Sequence, residues 1–134
     1  MTYSDWEMFN LVSDVERYPE FMPGCQKAKL LARGDDWMEA TLQLGKGKIH
    51  QTFSTHNNVV APRSIELTLL EGPFKKFHGL WTFTALAERA CKVELKLEFE
   101  FANKLVAAAA GKLFEAAANQ QVDAICRRAR QIYS

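Results

Sequence analysis

The sequence predicts an α+β domain in which a strongly curved antiparallel sheet wraps a long C-terminal helix. From Met38 to Phe101 it reads as strand after strand, with apolar and polar residues alternating. From Asn103 to Tyr133 the apolar spacing turns helical. A capping signal at Ser4 opens one further short helix ahead of the strands. Helix, then strands, then one long helix places helix against sheet.

Taking the elements in order, Ser4-Asp5-Trp6-Glu7 is a capping box. The Ser4 hydroxyl accepts from an early backbone N–H, and Glu7 reaches back to the cap. Met8, Leu11, Val12 and Val15 follow at helical spacing, so the helix runs to about Asp14. It stops near Tyr18-Pro19, because proline disfavours helical geometry in the residue before it. Glu20-Phe21-Met22 forms another short turn, ended by Pro23-Gly24.

Met38, Ala40, Leu42 and Leu44 then alternate with Glu39, Thr41 and Gln43, and Gly45-Lys46-Gly47 reads as a hairpin loop. Ile49 shares a face with Phe53, as do Ile65, Leu67 and Leu69 beyond Pro62, and Trp81 with Phe83. Lys92 to Phe101 is the clearest strand. Val93, Leu95, Leu97, Phe99 and Phe101 alternate without a fault against Lys92, Glu94, Lys96, Glu98 and Glu100. That pattern makes one face dry and one wet, and a one-residue slip would bury the charged row.

In the terminal helix, Leu105, Val106, Leu113, Phe114, Ala117, Gln121, Ile125, Arg128 and Ile132 fall near one stripe. About 30 helical residues reach about 45 Å, which requires a curved sheet to cover them or a bend, expected at Gly111. The alanine runs at 107–110 and 116–118 are good helix formers with little bulk. They suit close packing, or leave room for something else.

Composition narrows the function classes. The 134 residues fit one domain, 1–134, with 48% hydrophobic and 25% charged residues. A net charge of +1 gives no global field toward nucleic acid or an anionic membrane, and no DNA partner is expected. No run of about 18 apolar residues forms a transmembrane segment, and the acidic, polar start is unlike a secretory signal. Cys25, Cys91 and Cys126 have neither zinc-site spacing nor a disulfide framework. A reduced, cytoplasmic protein with packing thiols is expected.

Motifs for chemistry are scarce. His50 is expected on the wet face of its strand, His56 near a polar turn at Asn57-Asn58, and His78 at a strand start. None has metal-site spacing, and no nucleophile elbow or phosphate-cradling glycine motif occurs. No catalytic residue, metal ligand or required cofactor is assigned. In Leu70 to Phe77, Gly72-Pro73 makes a turn, Phe74 and Phe77 fold toward a pocket mouth, and Lys75 and Lys76 point outward. Arg127, Arg128 and Arg130 are the one dense basic cluster. They suit a helix C-terminus electrostatically, or else a phosphate-bearing partner.

Three segments carry a family resemblance. They are Asp14-Val15-Glu16-Arg17-Tyr18-Pro19-Glu20-Phe21-Met22-Pro23-Gly24-Cys25, Glu71 to Phe77 followed by Gly79-Leu80-Trp81-Thr82-Phe83, and Phe99 to Leu105. The chain resembles the helix-grip (START-like) proteins of the polyketide cyclase and coenzyme Q-binding group, and within it the ribosome-association toxins. The resemblance implies a sheet gripping the C-terminal helix around a cavity, and binding of ubiquinone or a similar isoprenoid lipid. In the toxin-like members it implies association with the large ribosomal subunit that blocks subunit joining. It brings no catalytic residues.

Family members place a strand before the first helix, whereas here the cap falls at Ser4. The expectation is therefore a start upstream or a missing first strand, with an open sheet edge that invites a homodimer. The expected pocket takes Phe53, Leu67 and Leu69 from the middle strands and Phe74, Trp81 and Phe83 from the next. Leu97 and Phe99 join from the last strand, and Val106, Ala110 and Phe114 from the helix. Tyr18 and Gln121 are the expected hydrogen-bond donors to a quinone. Lys75, Lys76, Arg127, Arg128 and Arg130 are the expected ribosome contacts.

Overall fold

The computed structural model describes residues 2–46 and 49–133. Helix α1 (Asp5–Ser13) leads into a 3₁₀ turn, Val15–Glu20. The strands are β1 (Cys25–Arg33), β2 (Trp37–Lys46), β3 (Ile49–Val60), β4 (Ser64–Glu71), β5 (Phe74–Ala87) and β6 (Ala90–Phe101). Helices α2 (Lys104–Asn119) and α3 (Gln121–Tyr133) follow. Among the described residues the six strands form one antiparallel meander in chain order, ending at β1 and β6.

The capping box is formed as the sequence requires. Glu7 N–H donates to Ser4 Oγ at 3.1 Å, and Ser4 N–H donates to Glu7 Oε1 at 3.0 Å. Of the expected hairpin loop, Gly45 and Lys46 belong to β2, and Gly47 lies outside the described residues. β1 does not stand out in the sequence: its half-buried positions are mostly Ala28, Leu30 and Ala32, interrupted by two register shifts. Further shifts occur at Ser54/Thr55, Phe74/Lys76 and Ala85/Ala87. Such irregularities bend strands and increase twist, which gives the sheet its curvature.

The bulge after Phe74 explains how both phenylalanines of the Phe74–Phe77 segment turn inward. Residues three apart on a regular strand face opposite ways, yet Phe74 and Phe77 are both buried while Lys75 and Lys76 are exposed. Two expectations need correction. Asn57-Asn58 is no turn but part of β3, with Asn57 buried; His78 lies inside β5 rather than at its start.

The C-terminal helix is broken, and not at Gly111. α2 ends at Asn119, and the Gln121 side chain donates from Nε2 to the Ala117 carbonyl at 3.0 Å. A side chain inserted into the i→i−4 ladder is a recognised cause of a kink. The predicted stripe packs only in its middle: Ile125 is fully buried, whereas Leu105 is 84% and Ile132 48% exposed.

Two apolar clusters fill the concave side. One joins Met8, Val12 and Ile125 of the helices to Ile65, Trp81 and Phe83. The other is aromatic: Phe53, Phe74 and Phe77 gather around Phe114 of α2, with Phe99 and Phe101 beside them.

Candidate functional site

Between the two clusters the interior stays open, as a cavity of about 80 Å³. Every strand contributes to its wall, and α1, the 3₁₀ turn and the α2–α3 junction complete it. Gly79 lets two wall residues close in over it. This buried position on β5 faces Leu67 on one side and Leu97 on the other, both of which line the cavity. A Cβ there would stand 3.0 Å from Leu67 Cδ1 and 3.2 Å from Leu97 Cδ1, so a side chain would push both leucines.

Of the residues expected at a pocket, Tyr18, Phe53, Leu67, Trp81, Leu97, Phe114 and Gln121 lie on this wall. Phe74 and Leu69 sit in the aromatic cluster instead, and Phe99 packs there against Phe114, with ring centroids 4.7 Å apart. Phe83 is buried behind Trp81, against Phe9 of α1. Val106 is half-buried away from the wall, and the Ala110 side chain lies outside the described residues.

The polar groups are few. The Tyr18 phenol donates to the Val12 carbonyl, so its proton is already committed. One N–H of Gln121 goes to Ala117. Thr55 and Asn57 also line the cavity, joined by a 2.7 Å hydrogen bond from Thr55 Oγ1 to Asn57 Oδ1. These two were missed in the sequence, although Phe53, Thr55, Asn57 is the same period-two row that marks Phe53 as inward. Being polar, they break the apolar alternation that the eye follows.

Titratable groups on the wall are Tyr18 and Cys25. Burial pushes the Tyr18 phenol well above its ordinary range, and burial pushes the Cys25 thiol up to about 11. Both are therefore protonated at neutral pH, and Cys25 is not an activated thiolate. The histidines lie elsewhere: His50 is exposed, His56 pairs with Glu39 and stacks on Trp37, and His78 pairs with Glu66 on the outer face. The His78 hydrogen bond holds the Glu66 carboxyl below its usual range. Among the described residues no group of three His, Cys, Asp or Glu side chains is placed to hold a metal ion.

On the outside, Lys75 approaches Glu100 at 3.9 Å and Lys76 approaches Glu98 at 3.1 Å, all four well exposed. Arg128 behaves differently from its neighbours. Its Nη2 donates to Glu20 at 2.8 Å, its guanidinium covers the Phe21 ring, and its side chain is only 18% exposed. It clasps α3 to the 3₁₀ turn, whereas Arg127 and Arg130 are exposed. No helix among the described residues is long and apolar enough to cross a membrane.

Comparison with known proteins places these features. Residues 2–126 match the family model described as polyketide cyclase/dehydrase and lipid transport. The ribosome association toxin RatA of Pseudomonas aeruginosa is 47% identical over 133 residues, covering 99% of this chain and 92% of that protein. The mitochondrial coenzyme Q-binding protein COQ10 of Drosophila melanogaster is 24% identical over 133 residues, covering 96% of this chain and 55% of that protein. Among solved structures, the Zhui aromatase/cyclase from Streptomyces sp. R1128 superposes with a TM-score of 0.86 at 15% identity, over 99% of this chain and 90% of that one. With its curved meander, gripped helices and apolar hollow, the chain belongs to the polyketide cyclase/dehydrase and lipid transport family, START-like in fold and similar to RatA in sequence.

Proposed function

We propose that this protein is a cytoplasmic ribosome-association factor of the RatA type, binding the large ribosomal subunit and opposing subunit joining. The observation that carries the reading is 47% identity spread over 99% of the chain to a protein of that name. The surface supplies suitable groups. Arg127 and Arg130 project from the last turns of α3. Lys75 and Lys76 are held only in exposed ion pairs, worth about 0–1 kcal/mol, which a phosphate can displace. Arg128 is left out of this contact set because its clasp on Glu20 and Phe21 occupies it.

Co-sedimentation with separated ribosomal subunits across a salt series tests the proposal. The protein is expected to pellet with the large subunit at low salt and to be released as salt rises. Replacing Arg127 and Arg130 together by Ala should weaken association and flatten the log–log salt slope by about one to two. No pelleting with either subunit at low salt would overturn the function; an unchanged slope would overturn the contact assignment.

A second reading concerns the interior, and the cavity itself favours it. An apolar wall suits a hydrophobic ligand, a quinone or another isoprenoid lipid, and the likeness to a coenzyme Q-binding protein supports the same class. At about 80 Å³ the hollow is well below the ~300–1,000 Å³ usual for drug-sized ligands. A ring or a few methylenes fit as it stands; a longer chain requires the wall to open. We read the protein as a binder rather than an enzyme. General acid–base chemistry needs a group that titrates near working pH, and the two titratable wall residues are both driven to their neutral forms.

A further inference from the structure

We infer that Thr55 and Asn57 form a built recognition point for the neutral, oxygen-bearing end of an apolar ligand, whose oxygen accepts a hydrogen bond from the Asn57 amide. This rests on the second reading above, that the cavity takes a ligand.

Asn57 is 4% exposed and Thr55 7%, deep in the central part of the sheet. A buried amide left without partners costs folding free energy, so its hydrogen bonds can be accounted for one by one. The Asn57 oxygen is occupied, accepting from Thr55 Oγ1 at 2.7 Å. The amide nitrogen carries two further N–H donors. Among the described residues neither has a hydrogen-bond partner, and the nitrogen still borders open space, not sealed in protein. That space is the cavity, whose wall Asn57 forms.

Its partners across the ladder, Met38 and Leu67, offer no oxygen or nitrogen acceptor side chain. Thr55 therefore does more than satisfy itself: it fixes the amide with oxygen toward the strand and nitrogen toward the hollow. Two donors aimed into an apolar space select a ligand that presents an acceptor there, such as a carbonyl, ether or hydroxyl oxygen.

The wall also selects on charge. It contains no Lys, Arg, His, Asp or Glu. A carboxylate or phosphate brought to Asn57 would be desolvated with no counter-charge, a heavy penalty for an ion. Fatty-acid anions and phospholipid headgroups are thereby disfavoured. Neutral apolar molecules that end in an oxygen are favoured.

Three matched probes test this with the full chain: cyclohexanone, methylenecyclohexane, in which a methylene replaces the carbonyl oxygen, and cyclohexanecarboxylate. Both neutral probes are expected to bind, and the carboxylate more weakly than either. The Asn57→Leu variant should lower the affinity ratio of ketone to alkene by about three- to tenfold, the worth of one neutral hydrogen bond. Taking the ratio cancels the different hydration of the free probes.

An unchanged ratio, as expected if the amide is served by water alone, would overturn the recognition point while leaving the cavity reading intact. Failure of both neutral probes to bind would overturn the cavity reading and this inference with it. A measurement on the wild-type protein stands in if the variant does not fold. The Asn57 side-chain amide resonances should shift with cyclohexanone more than with methylenecyclohexane, and equal shifts would overturn the inference.

Discussion

Tyr18 has the composition of a ligand contact, an aromatic ring with a polar tip at the edge of an apolar hollow. Its hydroxyl instead ties the 3₁₀ turn back to α1 by donating to the Val12 carbonyl. α1 ends at Ser13, so its last carbonyls, that of Val12 among them, must find partners outside the helix. Removing the hydroxyl leaves the Val12 carbonyl unpaired in the interior. Tyr18→Phe should therefore destabilise the protein by about 1–3 kcal/mol in a urea titration. A loss below about 0.5 kcal/mol would mean that water reaches the carbonyl and takes over. The ring remains on the wall in this variant, so binding of an apolar probe should change little.

The break between α2 and α3 illustrates how an element can defeat a reading of its own sequence. Gly111 carries the weakest helix propensity in the segment, yet the helix runs through it and yields nine residues later at Gln120. There the Ala117 carbonyl accepts from the Gln120 N–H and the Gln121 side chain, pairings that no propensity scale records. Gly111 is therefore an unexploited weakness. A Cβ there would meet Phe101 Cε2 at 3.8 Å, an ordinary van der Waals contact. Gly111→Ala should stabilise the protein by about 0.5–1 kcal/mol, seen as a higher Tm; a lower Tm would show that α2 is pressed closer to β6 than this spacing allows.

Legibility follows the same logic elsewhere. β6 is readable because Val93, Leu95, Leu97, Phe99 and Phe101 face the interior while Lys92, Lys96, Glu98 and Glu100 face water. β3 is only half readable, because its inward row passes from Phe53 to Thr55 and Asn57. β1 is not, since small residues and two bulges blur its period. Half of the expected pocket lies on the wall because facing inward is set by local periodicity. Which inward residues border the hollow and which fill the aromatic cluster depends on where α2 lands, a tertiary fact.

At the scale of the molecule, the gripped helices are held unequally. α3 buries Ala124, Ile125 and Ala129 almost completely and is clasped by Arg128 to Glu20 and Phe21. Among described positions, α2 fully buries only Phe114 and Ala117, while Leu105, Ala107, Ala108 and Ala116 are exposed. Its hold is the Phe114 ring, set among Phe53, Phe74, Phe99 and Phe101 at centroid distances of 4.7–5.9 Å. Few buried apolar contacts mark a segment that opens locally without global unfolding.

Because Phe114 and Ala118 form part of the cavity wall, opening α2 would give a ligand larger than the resting hollow a way in. Native-state hydrogen exchange should then separate the two helices. Amides of residues 108–118 are expected to exchange with a smaller opening free energy than those of residues 125–130, and with little dependence on added denaturant. Phe114→Leu should speed exchange across α2 while α3 changes less. Equal protection in both helices would mean that they open as one unit with the sheet, and entry of a long ligand would then require unfolding of the whole domain rather than the lifting of a single wall.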